Sequence, residues 1–318
     1  MNSLGLNLIL RMGCICTKER IVINGRSFYV RERLGQGGFS VVELIEDSKT
    51  HEEFALKRII CHSPEDQRIA LSEVEVHRIV QHPNVLELVD YDLRGKTDPL
   101  NDTTSQVLIV LPYFHKGTLA GELERREKQK RYLEEKEVLR LFQSICDAVA
   151  AFHNNQPHAL AHRDLKTANI LLSDSYAPVL MDLGSVARAR VEVTNSVDAR
   201  KLEEIAAERS SMPYRAPELF NIPSQTMIDE RTDIWSLGCV LFALCFFKSP
   251  YDIVYERGDS VNLAVVSGRL DIPPDSPFSE GIHDMIRYLL VVEPKERPFI
   301  QDVMLRAKQL EAKAQGCV

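Results

Sequence analysis

Short hydrophobic segments with strand spacing dominate the amino-terminal third of the chain. Apolar residues alternate with polar ones, or form short runs bounded by turn residues, and predict strands at 28–34, 43–46, 54–57, 85–93 and 106–111. One helix is predicted among them at 64–81, because apolar residues recur there on one rough face. The polar insert 94–105 predicts a loop between the last two strands.

Helical spacing replaces this pattern in the rest of the chain. Apolar residues recur every three or four positions and predict helices at 134–153, 259–267, 280–292 and 300–313, with two short strands at 170–172 and 179–181. Segment 231–247 is apolar on nearly every side, which predicts a buried central helix. With 318 residues, the chain suits one two-lobed enzyme or two small domains.

A dense group of chemically active side chains lies between these helices, in 161–169 and 181–184. Asp164 is a candidate base, and Lys166 supplies a positive charge. Asn169 and Asp182 offer the hard oxygen ligands that Mg²⁺ prefers. Phosphoryl transfer needs this combination, because catalysis there consists mainly of positioning groups and neutralising charge.

The amino-terminal part contains features that fit the same chemistry. Gly35, Gly37 and Gly38 join two predicted strands, where glycine lets backbone N–H groups approach phosphates, although a plain hairpin turn is the alternative. Lys57 lies in an apolar strand, and such a lysine usually extends to solvent. Glu73 on the following helix offers it a buried partner instead. The order of these features favours a phosphate site.

Composition narrows the class of protein. A net charge of −7 does not support nucleic-acid binding, and the alternating charges at 122–137 predict a solvated helix surface. The seven cysteines show no zinc spacing, and those in apolar runs (Cys146, Cys239 and Cys245) are expected to be reduced core residues in a cytosolic environment. No apolar run reaches bilayer length, and 4–10 does not fit a signal peptide.

Over about 28–310 the chain resembles the eukaryotic protein kinase family. The resemblance implies an α+β, two-lobed kinase fold: a small antiparallel sheet lobe with one main helix at 28–111 and a larger, mostly helical lobe at 112–314, between an amino-terminal segment 1–27 and a tail 315–318. It also implies that ATP and Mg²⁺ are cofactors, with Asn169 and Asp182 as the metal ligands. The implied nucleotide-binding residues are Gly35, Gly37, Gly38, Val42, Ala55, Lys57, Leu111, Pro112 and Phe114. Leu111 would lie beside adenine, with backbone groups of Pro112 and Phe114 pairing to it, and Ser40 replaces the third glycine of the family pattern.

The same resemblance implies an active enzyme with protein serine and threonine residues as its acceptors. Asp164, Lys166, Asn169, Asp182, Lys57 and Glu73 would carry the reaction, and Lys166 marks the serine/threonine class. Ser211 would help to place the acceptor hydroxyl, and Glu218 would pair with Arg297. Two alternatives stay open. One is a pseudokinase scaffold without catalysis, and the other is a kinase for small molecules or tyrosine.

The segment between Asp182 and Glu218 is long and contains its own helical pattern. Residues 197–209 hold strong helix formers without a breaker, and Val197, Leu202, Ile205 and Ala206 would form its apolar stripe. A disordered loop is the alternative. The candidate phosphorylation sites in this segment are Ser196, Ser210 and Ser211. After the segment, Asp233 is expected either to cap its helix or to accept backbone N–H groups from the catalytic loop.

The amino terminus contains a candidate lipidation signal. Residues 12–17 match the myristoylation pattern with Gly13 second, and Cys14 and Cys16 offer palmitoylation sites. Acylation of Gly13 requires translation to begin at Met12, and two lipids are needed for stable anchoring. With His82-Pro83-Asn84 and the motifs at 214–220 and 228–233, the chain resembles the acylated members of the Numb-associated kinase family. That implies attachment to the cytoplasmic face of Golgi, perinuclear or plasma membranes, together with a cytoplasmic pool.

Overall fold

An antiparallel sheet forms the amino-terminal part of the protein. The computed structural model describes residues 19–37, 40–97 and 103–314. Within those residues, six strands pair in the order β1-β2-β3-β4-β6-β5. They are β1 (Arg20–Ile23), β2 (Arg26–Gln36), β3 (Ser40–Asp47), β4 (Glu53–Cys61), β5 (Asp90–Arg94) and β6 (Ser105–Pro112). Helix α1 (Pro64–Ile79) connects β4 to β5.

Side-chain alternation gives this sheet an apolar core on each face. One cluster joins Phe28, Ile45, Leu56 and Val110 to Ile21 and Ile23 of β1. The other joins alternate residues of β4 and β6 to Ala70 and Val74 of α1. Because successive residues of β4 point to opposite faces, the side chain of Lys57 lies on the α1 face.

The beginning of α1 is fixed by its own sequence. Ser63 accepts a hydrogen bond from the backbone N–H of Asp66, and the Asp66 carboxylate accepts one from the Ser63 N–H. This capping box satisfies two backbone donors that a helix start leaves unpaired. Pro64 occupies the first turn, where the missing N–H is not needed.

The remainder of the protein is mostly helical. Its helices are α2 (Leu119–Lys128), α3 (Glu135–His153), α4 (Ser196–Arg209), α5 (Arg231–Phe246), α6 (Asp252–Glu256), α7 (Val261–Val266), α8 (Glu280–Leu289) and α9 (Ile300–Ala314). Within the part of the chain that the structure describes, short strands form three two-stranded pairs: β7 (Leu160–Ala161) with β10 (Ala187–Arg188), β8 (Ile170–Leu172) with β9 (Pro178–Leu180), and β11 (Val191–Val193) with β12 (Thr226–Ile228).

Helix α5 is the centre of this helical part, as its apolar sequence predicted. Its residues from Thr232 to Cys245 are all buried, and it packs against α3 and α8. Gly238 permits the approach of α8, because a Cβ atom there would lie 2.7 Å from the Leu290 side chain. Cys146, Cys239 and Cys245 are buried and free, as expected. Among the described residues, no helix is long and apolar enough to cross a bilayer.

The α+β fold class is confirmed, with several local corrections. The helix surface predicted at 122–137 is interrupted, because α2 ends at Lys128 and α3 begins at Glu135, and the short strands β7, β10, β11 and β12 were not predicted. Strand β1 was not predicted, although its exposed and buried residues alternate. The predicted strand 85–93 begins only at Asp90, because Leu86 donates its N–H to the carbonyl of Leu180 in the helical part instead of pairing within the sheet. The short α6 was also missed, and it buries none of its own residues fully.

Candidate active site

Three charged side chains from distant parts of the chain meet between the sheet and the helical part. Lys57 Nζ lies 2.7 Å from Glu73 Oε1, 2.9 Å from Glu73 Oε2 and 2.9 Å from Asp182 Oδ1. Strand β4 positions Lys57, α1 positions Glu73, and the turn after β9 positions Asp182. Lys57 therefore takes the buried partner that the sequence offered and does not extend to solvent.

Burial and charge act against each other in this group. Burial would lower the pKa of the Lys57 ammonium, but the carboxylates of Glu73 and Asp182 raise it above its ordinary value. Burial raises the pKa of Glu73. Burial also acts to raise the pKa of Asp182, yet the adjacent Lys57 lowers it below its ordinary value. Asp182 is the most open of the three, with 46% of its side chain exposed.

Three of the predicted nucleotide-binding side chains lie beside Lys57 on one face of the sheet. Val42 is directly opposite Lys57, and Leu111 is directly opposite Ala55, two residues before Lys57. Directly opposed residues share a face, and so do residues two apart on one strand. Val42, Ala55 and Leu111 therefore form one continuous surface leading to Lys57. Their role in nucleotide binding stays a prediction.

The glycine-rich turn and the connection after β6 supply the other predicted nucleotide contacts. Gly35 lies opposite Val42, and Gly37 donates its N–H to the Ser40 carbonyl at 2.7 Å. Gly38 lies outside the described residues. Pro112 is the last residue of β6. The Phe114 carbonyl accepts a hydrogen bond from the Gly117 N–H at 3.0 Å.

A second group of side chains surrounds Asp164 on the helical side. Lys166 Nζ contacts Asp164 Oδ2 at 2.9 Å and Ser211 Oγ at 2.6 Å. The backbone N–H of Ser211 donates to Asp164 Oδ1 at 2.8 Å. Asn169 Nδ2 donates to both the Asp164 carbonyl and Oδ2 at 2.9 Å. The structure thus brings Lys166, Asn169 and Ser211 together around Asp164, the candidate base.

Asp233 holds the loop that carries Asp164. Its carboxylate accepts the backbone N–H groups of His162 at 2.7 Å and Arg163 at 2.8 Å, and it contacts His153 Nε2 at 3.0 Å. Burial would raise the pKa of Asp233, but these hydrogen bonds and the imidazole keep it below its ordinary value. Of the two alternatives, loop support is therefore confirmed. The N-cap position of α5 is occupied by Glu230, whose side chain makes no capping hydrogen bond.

The turn at Asp182 is tied to the same loop. Asp182 has φ 59°, a left-handed conformation that is uncommon outside glycine. Ser185 Oγ donates to the His162 carbonyl at 2.8 Å, and His162 Nε2 lies 3.2 Å from the Met181 carbonyl. A Cβ atom on Gly184 would lie 3.0 Å from Glu73 Oε2. These contacts fix Asp182 relative to both Asp164 and the Lys57–Glu73 pair.

The helix predicted at 197–209 is confirmed as α4. Its buried residues are Ala199, Leu202 and Ala206. Val197 was wrongly assigned to the apolar stripe, since it is 74% exposed. It is the second residue of the helix and points away from the buried face.

The three candidate phosphorylation sites differ in their surroundings. Ser196 is exposed at the start of α4. Ser210 Oγ donates to the Ala206 carbonyl and accepts from Arg215 Nε. Ser211 is bound to Lys166 in the site itself. The expectation that they are phosphorylated stays a prediction.

The predicted pair between Glu218 and Arg297 is confirmed and deeply buried. Arg297 Nη1 and Nη2 donate to the two Glu218 oxygens at 2.8 and 3.0 Å. The guanidinium also donates to backbone carbonyls of Val291, Arg231 and Val292. The candidate lipidation residues Gly13, Cys14 and Cys16 lie outside the described residues.

Sequence reasoning missed several residues that shape the site. Ser185 and His153 act through single hydrogen bonds to groups distant in sequence, and one chain offers no pattern that reveals such contacts. Thr167 Oγ1 lies 3.2 Å from the Tyr214 hydroxyl and joins the Asp164 loop to the segment after α4. Burial of Tyr214 raises the pKa of its phenol.

Comparison with known proteins agrees with this geometry. The family model described as "Protein kinase domain" matches residues 28–307. The chain is 41% identical over 303 residues to serine/threonine-protein kinase 16 of Rattus norvegicus and of Homo sapiens, covering 95% of this chain and 96% of those proteins. It is 27% identical to the serine/threonine-protein kinase ENV7 of Saccharomyces cerevisiae over 98% of this chain and all of that protein.

The fold and the matched span define a protein kinase: the chain belongs to the protein kinase family. Within that family it is a serine/threonine kinase, and it is similar to serine/threonine-protein kinase 16 across nearly its whole length.

Proposed function

We propose that this kinase transfers the γ-phosphoryl group of ATP to serine and threonine hydroxyls of proteins in the cleft between Lys57 and Asp164. The observation that carries the proposal is the position of Lys57, held by Glu73 and Asp182 within 2.9 Å. A lysine fixed in this way offers its ammonium to phosphate oxygens without losing orientation. The complete set of charged residues argues against the pseudokinase alternative.

Asn169 and Asp182 are the proposed magnesium ligands, and their donor atoms fit that ion. Asn169 donates hydrogen bonds from Nδ2 to Asp164, so its side-chain carbonyl oxygen does not take part in those hydrogen bonds and can bind the metal ion. Asp182 Oδ1 accepts from Lys57, and within the described residues Oδ2 accepts no hydrogen bond. The lowered pKa keeps the Asp182 carboxyl ionised. Bound Mg²⁺ would supply charge neutralisation at the phosphates.

Asp164 is the proposed base for the acceptor hydroxyl. Its oxygens are oriented by Lys166, Asn169 and the Ser211 backbone. Ser211 is proposed to align the acceptor side chain, since its hydroxyl shares Lys166 with Asp164. Lys166 would remain close to the transferring phosphoryl group and balance its charge.

The nucleotide is proposed to lie along the face that carries Val42 and Ala55. Leu111 would border the adenine, the backbone at Pro112 and Phe114 would pair with it, and the glycine-rich turn would cover the phosphates. The shared face of β3, β4 and β6 supports this arrangement, because it leads directly to Lys57.

Phosphoamino-acid analysis after transfer from radiolabelled ATP tests the proposal. Purified protein is incubated with Mg²⁺, labelled ATP and dephosphorylated casein, and the casein is hydrolysed. Label in phosphoserine or phosphothreonine is expected. Absence of transfer to casein and to the protein itself would favour a pseudokinase, and label confined to phosphotyrosine would overturn the acceptor class.

We also propose that the protein is a member of the Numb-associated kinase family and is attached to membranes through its amino terminus. Myristate on Gly13 and palmitate on Cys14 and Cys16 would supply the two lipids needed for stable anchoring, provided that translation begins at Met12. The cytoplasmic face of Golgi, perinuclear or plasma membranes is the proposed location. The motif in the sequence supports this proposal.

Mass spectrometry of the protein from native cells tests the anchor. A myristoylated peptide beginning at Gly13, with acyl groups on the two cysteines, is expected. A peptide that begins at Met1 and carries no acyl group would contradict the anchoring proposal without affecting the kinase reaction.

A further inference from the structure

A polar contact joins the first turn of α1 to the edge of the sheet, outside the site described above. Gln67 lies near the start of α1, and its side chain is half-buried. Its Oε1 atom lies 3.1 Å from Ser105 Oγ and 3.3 Å from Thr97 Oγ1. The two hydroxyls lie 2.7 Å apart, and Ser105 is completely buried. Three side chains from three segments thus form one small cluster.

Counting protons shows that this cluster depends on Gln67 as an acceptor. Each hydroxyl of Thr97 and Ser105 has one proton to donate. One hydroxyl must donate to the other, and the second then donates to Gln67. The shortest chain runs from Thr97 through Ser105 to Gln67 Oε1. Without that oxygen, the buried Ser105 hydroxyl would lose its amide acceptor and keep only the weakly accepting thiol of Cys61 opposite it.

Thr97 is held in place by the narrow neck of the β5–β6 connection. Arg94 pairs with Gln106 across the sheet, and Thr103 Oγ1 donates to the Lys96 carbonyl at 2.9 Å. Gly95 adopts φ 75°, and a Cβ atom there would lie 2.9 Å from the Thr104 carbonyl oxygen. The two sides of the connection therefore run too close together for a larger residue at position 95. Thr97 lies two residues further along the chain and contacts Gln67 of α1.

We propose that Gln67, with Thr97 and Ser105, is a positioning residue for phosphoryl transfer that fixes α1 where Glu73 reaches Lys57. Gln67 precedes Glu73 by six residues, which is about 9 Å along a helix axis. Because a helix is rigid over that distance, a contact that fixes Gln67 also fixes the position of Glu73. This inference rests on the proposed role of the Lys57–Glu73 pair.

A second anchor lies on the other side of Glu73. His77 follows Glu73 by four residues, and its Nδ1 atom lies 2.8 Å from the Leu86 carbonyl. Glu73 therefore lies between two points at which α1 is hydrogen-bonded to other segments. Removal of the Gln67 anchor leaves the first half of α1 held to the sheet mainly by the apolar packing of Ala70 and Val74, so that the position of Glu73 relative to Lys57 is less strictly fixed.

Steady-state kinetics of Gln67→Leu test this role. The variant keeps the side-chain size but lacks the accepting oxygen, and kcat/KM for ATP is expected to fall about 3- to 10-fold, the effect of one lost hydrogen bond. Gln67→Glu keeps an acceptor and should stay within twofold of the wild type. Arg68→Ala changes the exposed neighbour and is the matched control, expected to be unchanged.

A double-mutant cycle separates positioning from simple destabilisation. In a Glu73→Gln background the Lys57–Glu73 ion pair is absent, so the Gln67 contact has nothing to position. Gln67→Leu should then change kcat/KM by less than twofold. If Gln67→Leu does not fold, Ser105→Ala removes the buried hydroxyl that donates to Gln67 Oε1 and takes its place in the cycle.

The outcomes are distinguishable. Full activity of Gln67→Leu, an equal loss in the Glu73→Gln background, or an equal loss in Gln67→Glu would overturn the positioning role. If instead Glu73→Gln itself retains full activity, the proposed function of the Lys57–Glu73 pair fails first.

Discussion

Removal of Glu218 should reveal how strongly the buried Arg297 depends on its partner. Arg297 has a side chain that is 0% exposed, so water cannot replace the two lost hydrogen bonds of 2.8 and 3.0 Å. A hydrogen bond to a charged group contributes about 1.5–3 kcal/mol, and breaking a buried pair from one side costs about 3–5 kcal/mol. Glu218→Ala should therefore lower the free energy of unfolding by about 3–5 kcal/mol, because three backbone carbonyls alone must then stabilise the guanidinium.

Urea unfolding followed by tryptophan fluorescence measures this loss. The chain has one tryptophan, Trp235, which is fully buried, and the Arg297 guanidinium lies 5.3 Å from its ring. The matched control is Glu124→Ala, which breaks an exposed pair with Lys128 and should cause no measurable change.

A second variant separates the cost of the unpaired Arg297 charge from the cost of the lost contact with Glu218. Glu218→Ala combined with Arg297→Met removes the uncompensated charge but also the donors to three backbone carbonyls, so it should recover only part of the loss. A loss below about 1 kcal/mol in Glu218→Ala would refute the reasoning. So would a double variant no more stable than the single one.

Three further outcomes follow from the structure. Asp233→Asn weakens the hydrogen bonds to the Asp164 loop and should cost about 2–3 kcal/mol in urea unfolding, whereas wild-type stability would contradict its supporting role. Leu202→Ala opens a cavity under α4 and should cost about 2–4 kcal/mol, while Val197→Ala should stay within about 0.5 kcal/mol; equal effects would show that α4 is not packed as described. The lowered pKa of Asp182 means that its carboxylate is lost only as pH falls through a value below 3.8, so Mg²⁺-dependent nucleotide binding should be constant from about pH 7.5 to pH 9, above the range in which the terminal phosphate of the nucleotide takes up a proton. A titration in that range that disappears in Asp182→Asn would contradict this assignment.

The fold was largely predictable because its hydrophobic patterns are strong. Helix α5 is apolar on all sides and lies at the centre, as expected. The weaker signals failed where tertiary contacts decide the outcome. Strand β1 has only four residues, and its Ile21 and Ile23 gain burial from the sheet they join. Val197 fits a helical stripe by spacing, yet it is the second residue of α4 and finds no surface to pack on.

The site was predictable as a set of residues and less so as a set of contacts. The pairing of Lys57 with Glu73 was predicted from their order along the chain, whereas the contact between Lys57 and Asp182 was not predicted and is supplied by the structure. The choice for Asp233 between capping and loop support required coordinates, since both uses fit the same position in the sequence. The Gln67 cluster joins residues 30 and 38 positions apart, and no local pattern marks such a contact.

Transfer of labelled phosphate by Asp164→Ala tests the central claim most directly. Asp164 is oriented by three neighbours for one role, that of the base, and its removal should leave nucleotide binding within about twofold. General base catalysis contributes about 10²- to 10⁴-fold, so the rate of transfer to casein should fall at least 100-fold in a protein that is still folded. A folded Asp164→Ala protein that transfers phosphate within tenfold of the wild-type rate would contradict the account.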